Sequence, residues 1–248
     1  MQLLDVFAEL NSIASFDLCE QWDNSGIIIY GDEEISNVLI TLDVTSKIID
    51  EAVAKKCQLI ISHHPIMFKS VQKLGSKDLA YRLAKNNISL VCMHTNLDKA
   101  IGGVNDVLCK KLALRNIEIF SDMGRKGTLD FPKSVVEFAR DISKILKAPV
   151  KYSLSDIIVS KVAVIGGSAG NFWELVVKDK LDVLVTGEIS YHEALDAAHA
   201  GIPVIAAGHY ETENLIVKEL CHRMQNAMPH IGWNETENNT NPYEYIQM

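Results

Sequence analysis

The chain has 248 residues, 48% hydrophobic and 23% charged, enough for one large domain or two modest ones with a sizeable core. A net charge of −8 and the lack of a Lys/Arg cluster argue against a nucleic-acid partner, although metals could still let one nucleotide bind. No apolar stretch reaches membrane-spanning length, and the acid-containing N-terminus lacks a basic n-region, so neither a membrane partner nor a signal peptide is expected.

Apolar runs alternate with helical patterns along the first half. Residues 38–42 predict a strand, 46–56 a helix carrying Ile48, Ile49, Ala52 and Val53, and 59–61 a buried strand. Residues 78–86 predict a second helix and 88–93 a third strand. The second half repeats the order, with strands at 161–165, 183–185 and 204–207 and helices at 171–180 and 191–200. Strands that are apolar throughout, alternating with helices, predict an α/β fold with mainly parallel sheets covered on both faces.

The two halves also align. An offset of 124 carries Ile48 onto Phe172 and residues 59–61 onto 183–185; an offset of 115 carries His94 onto His209 and Asp98 onto Glu213. The expected organisation is a first α/β half over 1–124, a connecting strand-helix-strand excursion over 125–155 with its helix at 134–146, and a second half over 156–230. Residues 231–248 are expected to return to the first half, 234–241 as a loop or final edge segment.

Three short motifs carry the candidate chemistry. Ser62-His63-His64-Pro65, His94-Thr95-Asn96-Leu97-Asp98 and His209-Tyr210-Glu211-Thr212-Glu213 each follow a predicted strand. The carboxyl ends of parallel strands are where open α/β sheets hold ligands. Adjacent strand residues point apart, so His63 and His64 suit two ions rather than one. Glu213 falls within a helix predicted over 212–224, whereas Gly102-Gly103 predicts a loop around Asp98. Imidazole and carboxylate without thiolate suit two divalent ions of Zn, Mn, Fe, Ni or Co, with Glu213 the candidate bridge.

Weaker features accompany these. Gly166-Gly167-Ser168-Ala169-Gly170 is either a phosphate cradle or, more in keeping with its spacing, a tight strand–helix turn. Trp22-Asp23-Asn24-Ser25-Gly26 either lines a site or forms an Asx turn. Glu188 and His192 are candidates to back the ligands. Five cysteines, Cys19, Cys57, Cys92, Cys109 and Cys221, with no C-x-x-C pair, read as buried thiols of a reducing, cytoplasmic compartment.

The ordered set resembles the NIF-three-like family, often labelled type 2 GTP cyclohydrolase I homologs. Its marks here are Trp22 to Gly26, Ser62 to Pro65, His94 to Asp98 with Gly102-Gly103-Val104-Asn105, Gly166 to Gly170, Thr186-Gly187-Glu188, Gly208 to Glu213 and Asn239 to Tyr243. The resemblance implies two related lobes with a dinuclear metal site between them and a homohexamer. It implies metal ligands at His63, His64, Asp98, His209 and Glu213, with His94 beside them. His94 is then the candidate for proton transfer. The expected function is a metal-dependent hydrolase acting on a nucleotide or related small metabolite; the alternative is a metal-binding protein that binds partners or handles metal without turnover.

Overall fold

The computed structural model describes residues 1–245. Its elements begin α1 (Leu3–Ile13), β1 (Gly26–Ile29), β2 (Asn37–Thr41), α2 (Ser46–Ala54), β3 (Leu59–Ser62), α3 (Leu79–Lys85) and β4 (Ser89–Cys92). They continue α4 (Thr95–Lys99), α5 (Val104–Lys111), β5 (Arg115–Phe120), β6 (Gly124–Ser134), α6 (Val135–Leu146), β7 (Lys151–Tyr152) and β8 (Ile158–Ser168). The last are α7 (Trp173–Lys178), β9 (Val183–Glu188), α8 (Tyr191–His199), β10 (Val204–Ala206), α9 (His209–Glu213), α10 (Leu215–Ala227) and β11 (Gly232–Glu235). They divide into two units, one of 1–100 with 216–242 and one of 101–215 with 243–245.

The first unit is a five-stranded sheet in the order β1-β4-β3-β2-β11. β4, β3, β2 and β11 run parallel, and β1 closes the β4 edge antiparallel. Every residue of β3 and β4 is buried, as expected of central strands covered on both faces. Ile48, Ile49 and Ala52 of α2 pack with Leu39, Ile60 and Leu90 of the sheet. The Thr45 hydroxyl caps α2 by accepting from the Ile48 amide at 3.3 Å.

The second unit is a six-stranded sheet in the order β5-β6-β8-β9-β10-β7. β8, β9 and β10 are parallel; β5, β6 and β7 are antiparallel to their neighbours. Strand alternation sends Val162, Val164, Val183 and Val185 to one core with Phe138 and Ile142, and Ala163, Ile165 and Leu184 to another with Phe120 and Val176. α6 opens with the capping box its sequence promises, Ser134 and Glu137 bonding each other's backbone amides.

Within each unit the same run recurs: β2-α2-β3-α3-β4 in the first and β8-α7-β9-α8-β10 in the second. Both place the three strands side by side, add an antiparallel edge strand beyond the third, and follow that third strand with a five-residue helix. The repeat expected from the offsets is therefore present as topology.

Several local expectations differ from the structure. Residues 125–155, expected as a connecting strand-helix-strand excursion, do form most of β6, α6 and β7, but they belong to the second unit. The chain divides at Ala100/Ile101 because β5 and β6 pair as a hairpin, and β6 pairs in turn with β8. Asp98, expected in a loop, lies on α4. The helix expected over 212–224 is two helices, α9 and α10, meeting at Asn214. Of the expected return over 231–248, β11 pairs parallel with β2, and residues 246–248 lie outside the described residues. Among the described residues, no helix is long and apolar enough to cross a membrane.

Candidate metal centre

In the first unit β3 delivers His63 and His64 at its carboxyl end. The amides of both bond back to Leu42 carbonyl oxygen at 3.2 and 3.0 Å, fixing the turn out of the strand. β4 delivers His94, the residue that precedes α4. The rings of His63 and His64 lie 4.9 Å apart, and that of His94 lies 5.3 and 5.6 Å from them. Each of the three offers a ring nitrogen, and these atoms lie within 4.8 Å of one another.

Every one of these imidazoles is held by its Nδ1. His63 Nδ1 bonds the Met93 carbonyl at 2.8 Å, His64 Nδ1 the Asp43 carboxylate at 2.7 Å, and His94 Nδ1 the Asp23 carboxylate at 2.8 Å. An acceptor at Nδ1 fixes the proton there and puts the lone pair on Nε2, the arrangement that backs metal-binding histidines. His63 Nε2 stands 3.6 Å from Asp98 Oδ1. Two donors to one tetrahedral ion at about 2 Å stand about 3.3 Å apart, so this pair has the bite of a shared ion.

Asp23 is the most heavily bonded of these supports. It accepts from His94 Nδ1, the Ser25 hydroxyl at 2.8 Å, the Thr95 hydroxyl at 2.6 Å, and the amides of Asn24 and Thr95 at 2.7 and 3.1 Å. Burial pushes its pKa up, but the bonds from His94, Thr95 and Ser25 and the His94 charge outweigh it and hold the carboxyl well below its usual range. Asp43 is supported differently: its second oxygen accepts from the Thr240 hydroxyl at 3.1 Å. The tail segment thus reaches His64 through one carboxylate. The tail is itself fixed by Glu51, which accepts from Thr236 at 2.6 Å, the Glu237 amide at 3.0 Å and Asn238 at 2.7 Å.

In the second unit the same logic recurs at the end of β10. His209 Nδ1 faces Glu188 Oε2 at 3.2 Å, and His209 Nε2 lies 3.1 Å from Glu213 Oε2. Glu213 is 4% exposed although it is an acid. The room for its carboxylate comes from Gly167. A Cβ there would collide with Glu213 Oε1, and the positive φ of +64° disfavours any side chain. Gly166 and Gly167 donate their amides to Asn105 Oδ1 at 2.8 Å and Thr212 Oγ1 at 3.1 Å. Those amides are committed to the protein, so the Gly166–Gly170 segment works as a tight turn that seats Glu213 rather than as a phosphate cradle.

Sequence reasoning found the histidines because they follow strands, and the carboxylates because each lies four residues after one of those histidines. It passed over Asp43, which lies in no motif, and left Asp23 undecided between a site and a turn. Of the two candidate supports, Glu188 bonds His209, while His192 is exposed and stacks edge-on against Tyr191 at 5.5 Å. The five cysteines are free thiols, four of them buried.

The family model described as Duf34/NIF3 (NGG1p interacting factor 3) matches residues 1–242. A Clostridium acetobutylicum protein named GTP cyclohydrolase 1 type 2 homolog is 32% identical, covering 99% of each chain. NIF3-like protein 1 of Drosophila melanogaster is 29% identical over 89% of this chain and 80% of its own. The crystal structure of a Staphylococcus aureus hypothetical protein superposes with a TM-score of 0.91 at 31% identity, covering 99% of each chain. With the match running through nearly every residue and through the histidine motifs themselves, the chain belongs to the Duf34/NIF3 family.

Proposed function

We propose that the protein is a dinuclear metal-dependent hydrolase acting on a nucleotide or a related small metabolite. The observation that carries the reading is the set of four imidazoles, His63, His64, His94 and His209, each held through Nδ1 by an oxygen acceptor. Four histidines sharing one tautomer-fixing arrangement, with buried Glu213 and Asp98 beside two of them, make a donor set of imidazole and carboxylate suited to Zn, Mn, Fe, Ni or Co. The proposed ligands are His63, His64, Asp98, His209 and Glu213. Two bound divalent ions would supply Lewis acidity, activating water near neutral pH and stabilising charge on the reacting oxygen.

His94 is assigned proton transfer. Its Nδ1–H bond to Asp23 orients the ring and leaves Nε2 to take a proton from the attacking water and return it to the leaving group. The name of the Clostridium relative, GTP cyclohydrolase 1 type 2 homolog, supports a nucleotide as the first substrate to try. Metal-reconstituted protein is to be assayed against GTP and a panel of cyclic and linear phosphoesters. Turnover that His94→Ala abolishes while both ions are retained supports the assignment. Loss of metal in His94→Ala makes that residue a ligand instead, and no turnover with any of several metals sinks the hydrolase reading.

A second reading is a metal-dependent binding protein without turnover; the family description, which names an interacting factor, favours it. We also propose a homohexamer, supported by the family membership, which sedimentation or light scattering tests directly. A cytoplasmic location belongs to the same proposal and is supported by five thiols that form no disulfide.

A further inference from the structure

We propose that Trp22 and Phe68 form the binding face for a planar aromatic ring on the substrate. The inference deepens the hydrolase reading and rests on it for the position of the reacting end. Trp22 is 60% exposed and Phe68 54%, although both are large apolar side chains. Their rings lie 6.5 Å apart, tilted by 32°, and so stand as neighbours rather than as scattered surface residues. Each also meets the His94 ring edge-on, at 6.0 Å from Trp22 and 5.8 Å from Phe68. Paired apolar faces left in water next to convergent polar groups are the signature of a small-molecule site.

The pair is also held in place. Asn24 donates its side-chain amide to the Met67 carbonyl at 2.6 Å, tying the segment that carries Trp22 to the segment that carries Phe68. Trp22 precedes Asp23, which accepts three hydrogen bonds that anchor that segment to His94 and Thr95. The residue that orients His94 therefore also fixes the aromatic face beside it. A flat ring stacked there would present the rest of its molecule to the imidazole cluster, one side chain away. Stacking of this kind is tolerant of the ring's hydrogen-bonding pattern, because every heteroaromatic base has a π-face. The substrate class is thus a molecule with a flat heteroaromatic ring joined to a metal-binding group, and a nucleoside phosphate fits it.

The test compares binding of GTP, UTP and inorganic triphosphate to manganese-reconstituted protein by calorimetry, with metal content measured on the same samples. All three probes share the triphosphate; the nucleotides add a ribose, common to both, and a ring, in which they differ. The expected result is tighter binding of both nucleotides than of triphosphate, with Trp22→Ala and Phe68→Ala each weakening the nucleotides roughly tenfold and leaving triphosphate unchanged. Trp22→Phe should retain most of the preference, which guards against misfolding of the alanine variant. Equal binding of nucleotides and triphosphate by the wild type overturns the inference. So does a nucleotide preference that survives both alanine substitutions. A change in oligomer mass in Phe68→Ala assigns the face to a subunit contact and overturns it as well. Failure to load metal sinks the hydrolase reading separately, since the nucleotide preference can still be read on the metal-free sample.

Discussion

Asp23 and His94 are 71 positions apart in the chain and 2.8 Å apart through Oδ1 and Nδ1. That bond connects a loop outside the parallel sheet to the end of β4. It sets the tautomer of His94 and ties down the segment that carries the exposed Trp22.

Removing the Asp23 carboxylate leaves the amides and hydroxyls around it without their acceptor. Asp23→Ala is expected to lower unfolding free energy by about 2–4 kcal/mol, the cost of several stranded donors in a shielded site. Urea unfolding of the purified variant measures this. A loss below about half a kcal/mol would show that water replaces the carboxylate without penalty.

Thr240 supports His64 at one remove, through Asp43. Thr240→Val keeps the side-chain shape and deletes the donor. Metal affinity should fall about tenfold, as for other outer supports of metal-binding histidines. Competition with a chelator of known affinity reads the change, and an unaltered affinity would remove the tail from the metal centre.

Glu51 gives the first unit a defined acid sensitivity. Burial pushes its pKa up, but Lys55, Thr236, the Glu237 amide and Asn238 outweigh it and bring it down to about 2, from an ordinary 4.5. The folded value lies below the unfolded one. The stabilisation is therefore present above pH 4.5 and is lost as the pH falls from there towards 2. Glu51→Gln should lower stability by about 2 kcal/mol at pH 7 and flatten its pH dependence between those limits. Equilibrium unfolding at a series of pH values tests both parts, and parallel profiles for wild type and variant would refute the assignment.

Gly167→Ala should injure the second unit out of proportion to one methyl group. The new Cβ meets Glu213 Oε1, and the φ of +64° is strained for any side chain. The expected stability loss is about 1–3 kcal/mol, with metal content reduced because Glu213 must move. Full metal content with normal stability would mean that the turn relaxes without disturbing the carboxylate.

The buried thiols should be inert in the folded protein. Desolvation pushes Cys57 up to about 11 and Cys109 up to about 12, and it raises Cys92 well above its ordinary value. Alkylation at pH 8 followed by peptide mapping should label these three only after unfolding. Rapid labelling of Cys109 under native conditions would contradict its burial.

Much of this molecule was legible in one dimension because it depends on short-range patterning. Ile60, Leu90, Val164 and Leu184 sit in runs that are apolar at every position, and only strands buried on both faces need that. The duplicated spacing of His94 to Asp98 and His209 to Glu213 survives as the same topological place, the short helix after the third parallel strand of each unit. Turn-forming glycines and the Ser134 cap were likewise local signals.

What the sequence determined by itself was the α/β class, the parallel strands and the histidines at their carboxyl ends, since each follows from residues within one turn or one strand of each other. Tertiary structure alone decided which groups stand behind those histidines. Asp23 reaches His94 across 71 positions, Asp43 reaches His64 across 21, and Thr240 reaches Asp43 across 197. No periodicity encodes such pairs, because each hydrogen bond depends on where two separately folded segments come to rest. The allocation of 125–155 to the second sheet had the same cause: its strand partners, β5, β8 and β10, were identified by pairing and not by its own composition.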